Sequence, residues 1–409
     1  MKAGRLIFLS LAVFSLIISP ASAVTKSVAV TAMTLISALP SDISPIGMQV
    51  RGSVIYLYGG RTGNSNLDGF VRAMDSNGAI LWSQILDSGG DEIITAATVD
   101  TAGHIWLVGT ASPAEATPTS TQLSTPAGVL NPDSVVLDPS SPLRKDLTTL
   151  ILWEVDPTGN IVSTKSVNLN RSFIARSLAV ASTGTSIVGA VATTSGNAGF
   201  FISTDANGIF GKLAIIGNSE TELNSITKLG DNYLISGSSA EKILGKPLIG
   251  IRDGILLSSS ASGKIFSVVR SANGKSSRSW KGATPSFLIG GDALTVGVSE
   301  AVVTKFSAKL LPAWSMRFPA IGPALVIDTP ILRYAVFGSN SAIAGIKSWK
   351  PSKPATIALG LDSKGIPQTA FSAKSIALPL ALGYSSQLGL VLLGQTGQNT
   401  VSLFHTLTR

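Results

Sequence analysis

Residues 68–110 read as four short strands joined by tight turns: DGFVRAMD, SNG, AILWSQIL, a short loop, EIITAATVD, TAG and HIWLVGT. Runs of this length, rich in β-branched and aromatic residues and bounded by Gly, Asn and Asp, are strand signals, and the two- to four-residue breaks are hairpin signals. Blurred copies of the unit fill the rest of the chain. A copy this small cannot bury its own faces, so it must stack on its neighbours.

Two punctuation marks set the copies in register. The first is the turn after the third strand: Asp75-Ser-Asn-Gly78, Asp156-Pro-Thr-Gly159, Asp205-Ala-Asn-Gly208, Ser260-Ala-Ser-Gly263 and Asp362-Ser-Lys-Gly365. Asp and Asn accept turn conformations and Gly supplies positive φ without steric cost. In the fifth unit the turn is degraded to Ala308-Lys-Leu. The second mark is a glycine late in the second strand, at Gly59, Gly109, Gly189, Gly237, Gly297, Gly338 and Gly394. Seven glycines imply seven units. Asp156 to Asp205 spans 49 residues and Asp205 to Ser260 spans 55, near the roughly 40–50 of propeller repeats. A β-sandwich lacks such a period and β-helix coils are shorter. The expected fold is all-β: a seven-bladed β-propeller.

Counted from the innermost strand, blade one takes 47–86, blade two 92–167, blade three 176–216, blade four 223–271, blade five 286–318, blade six 323–375 and blade seven 380–407. Blade seven has three strands, and the orphan strand at 27–36 is expected to supply its fourth. Such a closure pairs the N-terminal strand with the C-terminal blade and removes exposed sheet edges.

Lys2 and Arg5, an apolar run over 6–18, Pro20 and Ala21-Ser22-Ala23 have the layout of a secretory signal peptide. Residues 1–23 are expected to be a leader, and 24–409 the mature propeller, with a Pro/Thr/Ser-rich loop insertion at 112–146. The apolar run is too short to span a bilayer, and no stable membrane span is expected after cleavage. There is no cysteine, which excludes disulfides, thiolate metal sites and a lipoprotein anchor. The net charge is +8; without Lys2 and Arg5, 29 basic residues face 23 acidic ones, a net +6. Outside the cytoplasm that excess suits an anionic polysaccharide or cell-surface polymer, or an exported protein. No nucleic-acid motif is present.

The run DGFVRAMDSNGAILWSQIL followed by DEIITAATVDTAGHIWLVGTAS resembles the repeats of secreted bacterial seven-bladed β-propellers. The match is good over 68–110, fair over 148–216 and weak beyond 250. The resemblance implies the propeller architecture, and the leader implies a secreted or periplasmic, cell-surface setting. It carries over no catalytic residues.

Loops from second to third strand, and from fourth strand to the next blade, open on one face of a propeller. The long connections at 112–146, 240–250, 271–285 and 341–353 are all expected there, and irregular loops on a rigid scaffold are where binding residues concentrate. Two of them share a composition: Lys275, Arg278, Trp280 and Lys281 in one, Lys347, Trp349, Lys350 and Lys353 in the other. A tryptophan between cations suits a sugar ring bearing an anionic group, with Arg144, Lys145, Lys242 and Lys246 adding charge. The alternative is that each tryptophan plugs its own blade. For catalysis, Asp91, Glu92, Glu220 and Glu222 precede the inner strands of blades two and four, and paired acids at the channel mouth would suit a carbohydrate-active hydrolase or lyase. His104 and His405 are too far apart in the blade count to form a triad or metal site. No metal, no cofactor and no catalysis are the leading expectation; the turns carry one carboxylate each, too few for calcium.

Overall fold

In the computed structural model, residues 27–62, 66–112, 143–272, 274–397 and 400–406 are described. The leader expected over 1–23 and most of the insertion at 112–146 lie outside the described residues. All regular structure among the described residues is β, in six four-stranded sheets and one five-stranded sheet. No helix among them is long and apolar enough to cross a membrane.

The chain opens with β1 (Val30–Ala32) and β2 (Thr34–Ala38). Blade one is β3 (Ser44–Arg51), β4 (Val54–Thr62), β5 (Leu67–Met74) and β6 (Ile80–Leu86). Blade two is β7 (Glu92–Val99), β8 (Ile105–Ala111), β9 (Thr149–Val155) and β10 (Ile161–Asn168). Blade three is β11 (Phe173–Ala181), β12 (Gly184–Ala192), β13 (Asn197–Ser203) and β14 (Ala214–Ile216). Blade four is β15 (Thr221–Leu229), β16 (Asn232–Ser239), β17 (Asp253–Ser260) and β18 (Ile265–Ser271). Blade five is β19 (Ser276–Ala283), β20 (Leu288–Thr295), β21 (Val298–Phe306) and β22 (Pro312–Pro319). Blade six is β23 (Leu325–Asp328), β24 (Arg333–Ser339), β25 (Ala355–Leu361) and β26 (Pro367–Ala373). Blade seven has β27 (Pro379–Ser385), β28 (Gly389–Gln395) and β29 (Val401–His405).

The orphan segment serves two blades. β2 runs antiparallel to β29 as the fourth strand of blade seven, Thr34 opposite His405 and Ala38 opposite Ser402. β1 instead runs parallel to β26 on the outer edge of blade six, Val30 opposite Ala370. The expected single strand over 27–36 is therefore two, parted at Met33, which is buried between blades six and seven.

Seven apolar clusters fill the seven interfaces between neighbouring blades. Tyr56, Val71 and Leu86 meet Ile105, Leu107 and Trp153 between blades one and two. At the seam of the ring, Leu393 and Leu403 of blade seven meet Met48, Ile55 and Phe70 of blade one. Each blade thus has apolar neighbours on both faces, which is why strand interiors such as Ile255-Leu256-Leu257 are apolar without alternation.

The Asp-led turns work as their composition suggests. The Oδ1 atoms of Asp75, Asp156, Asp205 and Asp362 each accept two backbone N–H groups of their own turn, from the residues two and four positions on. The turn glycines have φ between 78° and 94°. Three of these turns also carry the neighbouring blade. The Trp82 indole of β6 lies against Gly159 and donates to the Pro157 carbonyl at 2.9 Å. Trp314 of β22 does the same with Gly365 and the Ser363 carbonyl at 3.0 Å. Ile36 and Ser37 of β2 occupy that place against Gly78.

The glycines of the second strand have a different reason. Gly59, Gly109, Gly189, Gly237 and Gly291 each face a β-bulge in the innermost strand. There the carbonyl oxygens of Ser44, Ile93, Ile174, Glu222 and Ser279 lie far inside van der Waals contact of any Cβ the glycine might carry. Blade five corrects the sequence reading. Gly297, expected as its marker, has φ +79° in the two-residue turn between β20 and β21, and the marker is Gly291. The stretch 271–285 is accordingly not a long loop, because it contains the innermost strand β19.

Gly291→Ala is expected to destabilise the protein by about 1–3 kcal/mol through this overpacking. Gly282→Ala, where a Cβ meets nothing within 4 Å, should fall within about 0.5 kcal/mol of the parent. Denaturant unfolding of the two variants measures both.

Candidate functional site

The connections on the face that opens between second and third strands are very unequal. Blade five turns over in two residues, whereas 240–252 in blade four and 340–354 in blade six are long. The largest hairpin on the opposite face is 204–213. The long-loop face over blades four to six is therefore two raised loops flanking a low one.

Both raised loops are pinned by apolar anchors. In the first, Ile243 is buried, and Ile243 and Lys246 exchange backbone hydrogen bonds at 3.2 and 2.8 Å across a turn with Leu244 and Gly245 at positive φ. In the second, Ile343, Ile346 and Trp349 are buried at every third position in the cluster between blades five and six. The N-terminal segment ties this loop down further, through Val28 N–H to the Gly345 carbonyl at 2.9 Å and Lys347 N–H to the Val28 carbonyl at 2.8 Å.

This geometry overturns the tryptophan site. Trp280 lies on β19, is 0% exposed, meets Phe306 edge-on at 6.2 Å and fills the space over Gly254 of blade four. Trp349 is only 4% exposed. Neither indole has a face for a sugar, and both are plugs of their blades. Arg278 lies 5.3 Å from the Trp280 ring centre and donates to Ser271 Oγ at 2.7 Å. Burial, and Arg317 beside it, lower its affinity for a proton. Lys281 is half-buried on the same strand. Lys347 and Lys350 are exposed.

With the tryptophans gone, the face retains its cations. Lys242, Lys246, Lys275, Lys347, Lys350 and Lys353 are all exposed on it, and none makes an ion pair among the described residues. Between them stand exposed aliphatic groups: Leu244, Ile249 and Ile251 in the first loop, and Val296, 88% exposed, at the tip of the low turn. Glu241, next to Lys242 in the first loop, is engaged inward. Glu241 Oε1 accepts the consecutive N–H groups of Asn218, Ser219 and Glu220 at 2.8, 3.1 and 3.1 Å and the Thr221 hydroxyl at 2.7 Å. Partial burial pushes its carboxyl up, and these donors together pull it below the ordinary range.

The four carboxylates considered for hydrolysis are not assembled as an open pair. Asp91 accepts Leu67 N–H at 2.9 Å and pairs with Arg144, which also holds Asp146. Glu222 is buried and lies 3.5 Å from Arg176 of blade three. Glu220 is exposed, and its carbonyl accepts from Arg252 at 3.3 Å. Glu92 is fully buried; its Oε1 accepts Ser88 N–H at 2.9 Å, and burial raises its carboxyl above the ordinary value. A general acid must touch the leaving oxygen, and Glu92 is sealed from the channel. His104 Nδ1 lies 2.6 Å from Glu154 on the opposite face, and His405 is buried in blade seven. A grouping the sequence reading missed is Asp68, Asp87 and Glu92, which converge between blades one and two.

Trp280→Ala is expected to cost about 3–5 kcal/mol of stability, as removal of a fully buried indole does. Lys347→Ala and Lys350→Ala should each stay within about 0.5 kcal/mol of the parent. Chemical denaturation separates the two outcomes.

No protein-family model matches the chain, and no curated protein matches it. Solved structures similar to the chain share low sequence identity with it. The β-propeller domain of the trilobed protease from Pyrococcus furiosus is 9% identical over 91% of this chain and 95% of its own, with a TM-score of 0.48. Sqt1 from Chaetomium thermophilum is 9% identical over 91% and 98%, also at 0.48. The Pan2 WD40 domain from Neurospora crassa is 8% identical over 92% and 90%, at 0.46.

Proposed function

We propose that this chain is a non-catalytic binding propeller of the cell exterior, which holds an anionic envelope polymer or an acidic exported protein on its long-loop face. The observation that carries the reading is the set of six exposed lysines over blades four to six that make no ion pair among the described residues. Five of them sit on loops anchored by Ile243, Ile343, Ile346 and Trp349, and Lys275 lies in the short connection before β19, so most of the charges are presented on a rigid base rather than on a floppy tail. An anion drawn to such a surface gains from several cations at once, and the gain falls with salt. The aliphatic groups among the lysines favour a partner with apolar substituents over a bare sugar chain, whose rings would need exposed aromatic faces. The exported setting rests on the leader-like residues 1–23.

Replacing Lys242, Lys246, Lys347, Lys350 and Lys353 together by alanine is expected to reduce retention on anionic cell-wall polymer at least tenfold, with the unfolding midpoint unchanged. The parent's retention should weaken steeply as salt rises. Equal retention of parent and variant would remove the reading.

A further inference from the structure

At the junction of blades one and two, Asp68 at the start of β5, Asp87 in the connection to blade two, and Glu92 at the start of β7 each bring a carboxylate oxygen within 4.8 Å of the other two. Asp68 and Glu92 are buried, and Asp87 is exposed at the opening. Two oxygens in the group are buried with no hydrogen-bond partner, Asp68 Oδ1 and Glu92 Oε2. Among the described residues, the cation paired with the group is Arg61, whose Nε lies 3.9 Å from Asp68 Oδ2 and whose side chain is one-third exposed. Glu92 Oε1 is occupied by Ser88 and Gly90, and Asp87 Oδ1 by Gly89 N–H. Unpartnered buried carboxylate oxygens beside like charges are costly, and proteins resolve the cost with a proton or a cation.

Blade four supplies an internal comparison. Its third strand opens Asp253-Gly254-Ile255, the counterpart of Asp68-Gly69-Phe70. Ile255 is paired with Arg270 of the fourth strand. Arg270 Nε donates to Asp253 Oδ2 at 2.6 Å, and both side chains are buried. The same guanidinium donates to the carbonyls of Glu241 at 2.9 Å and Ser239 at 3.1 Å. In blade one, Phe70 is paired with Ile85, so an isoleucine stands where blade four has its arginine. Asp68 therefore keeps the buried position without a buried fourth-strand cation, its ion pair being the long one to the one-third exposed Arg61, while Glu92 and Asp87 add two more carboxylates.

The geometry points to a calcium site formed by Asp68, Asp87 and Glu92, in which a divalent cation takes the place that the Arg270 guanidinium fills in blade four. Calcium binds oxygens at about 2.4 Å, so two ligands of one ion lie no more than about 4.8 Å apart. Three carboxylates, an adjacent Ser88 hydroxyl and an opening to water at Asp87 match its preference for many oxygens in irregular arrangement better than the strict octahedron of magnesium. The ion would bind blade one to blade two at the point where the chain leaves the first for the second.

The test uses the full mature chain in metal-free buffer near neutral pH, with calcium chloride as the probe and magnesium chloride as comparator. Calorimetry is expected to find one calcium per chain, and a hundredfold excess over the dissociation constant should raise the unfolding midpoint by roughly 3 °C. Asp87→Asn, at an exposed position where the amide keeps the oxygen that accepts Gly89 N–H, and Glu92→Gln, which puts a neutral amide in a site that disfavours charge, should each lose the bound calcium and the shift. Absence of heat and shift in the parent would overturn the site. A shift that persists in both variants would place the ion elsewhere, and a magnesium response equal to that of calcium would overturn the assignment to calcium.

Discussion

The architecture depends on one close approach, that of an innermost-strand carbonyl to a glycine of the second strand. A β-bulge puts an extra residue into the inner strand, bending it and raising its twist. In five of the seven blades that bulge drives the preceding carbonyl against the neighbouring strand, at the position held by Gly59, Gly109, Gly189, Gly237 and Gly291. A side chain there would push the inner strand toward the axis. The inner strands are crowded around the axis, so there is no room for that displacement. Glycine at this position therefore belongs to the ring's geometry more than to the strand that contains it.

The second dependence runs around the circumference. A propeller blade has no independent core; its apolar faces are covered only by the blades on either side, and the seven clusters are all shared. The outer rim repeats the principle on a smaller scale. Trp82 and Trp314 reach from one blade's last strand onto the Asp-x-x-Gly turn of the next, where only glycine leaves space for the indole. The tryptophan strand and the glycine turn, which look like two separate features of the repeat, are the two halves of a single contact. At the seam of the ring β2 brings Ile36 and Ser37 to Gly78 in the same way, so the first strand in sequence does the work of a last strand in space.

Most of this was legible because turn chemistry is local. Asp at the first position and Gly at the fourth have fixed roles within four residues, and they located the blades where both were intact. Blade five lost both marks: its turn reads Ser307 to Leu311, with Leu310 at positive φ in place of glycine, and Gly297 mimicked a strand glycine while sitting in a turn. The inner strand SSRSWKGA was hidden for a further reason. It mixes buried Ser276, Ser279 and Trp280 with half-buried Arg278 and Lys281 without alternation, so by composition it looks like a polar loop. The fate of Trp280 and Trp349 followed from that ambiguity, since basic neighbours say nothing about the direction of the indole. For Trp349 a usable signal was present in the three-residue spacing from Ile343 through Ile346. The acidic junction escaped because its three members are distant in role: a strand start, a linker and another strand start, brought together only by the stacking of two blades.

The long-loop face shows how such a ring separates stability from surface chemistry. Each raised loop spends its apolar residues downward, on the interface between two blades, and this fixes the direction of what remains. With Ile343, Ile346 and Trp349 facing in, the intervening Lys347 and Lys350 face out. Their charge can then change without touching the core, whereas the anchors cannot change without loosening the blades beneath. Arg270 illustrates the opposite arrangement, a cation buried on its own aspartate and on two loop carbonyls, which fixes the base of the first loop and is unavailable to any partner. Cations of the two kinds lie close together in the chain, Arg270 and Lys275 being five positions apart, and what distinguishes them is whether the strand register delivers a carboxylate beneath them.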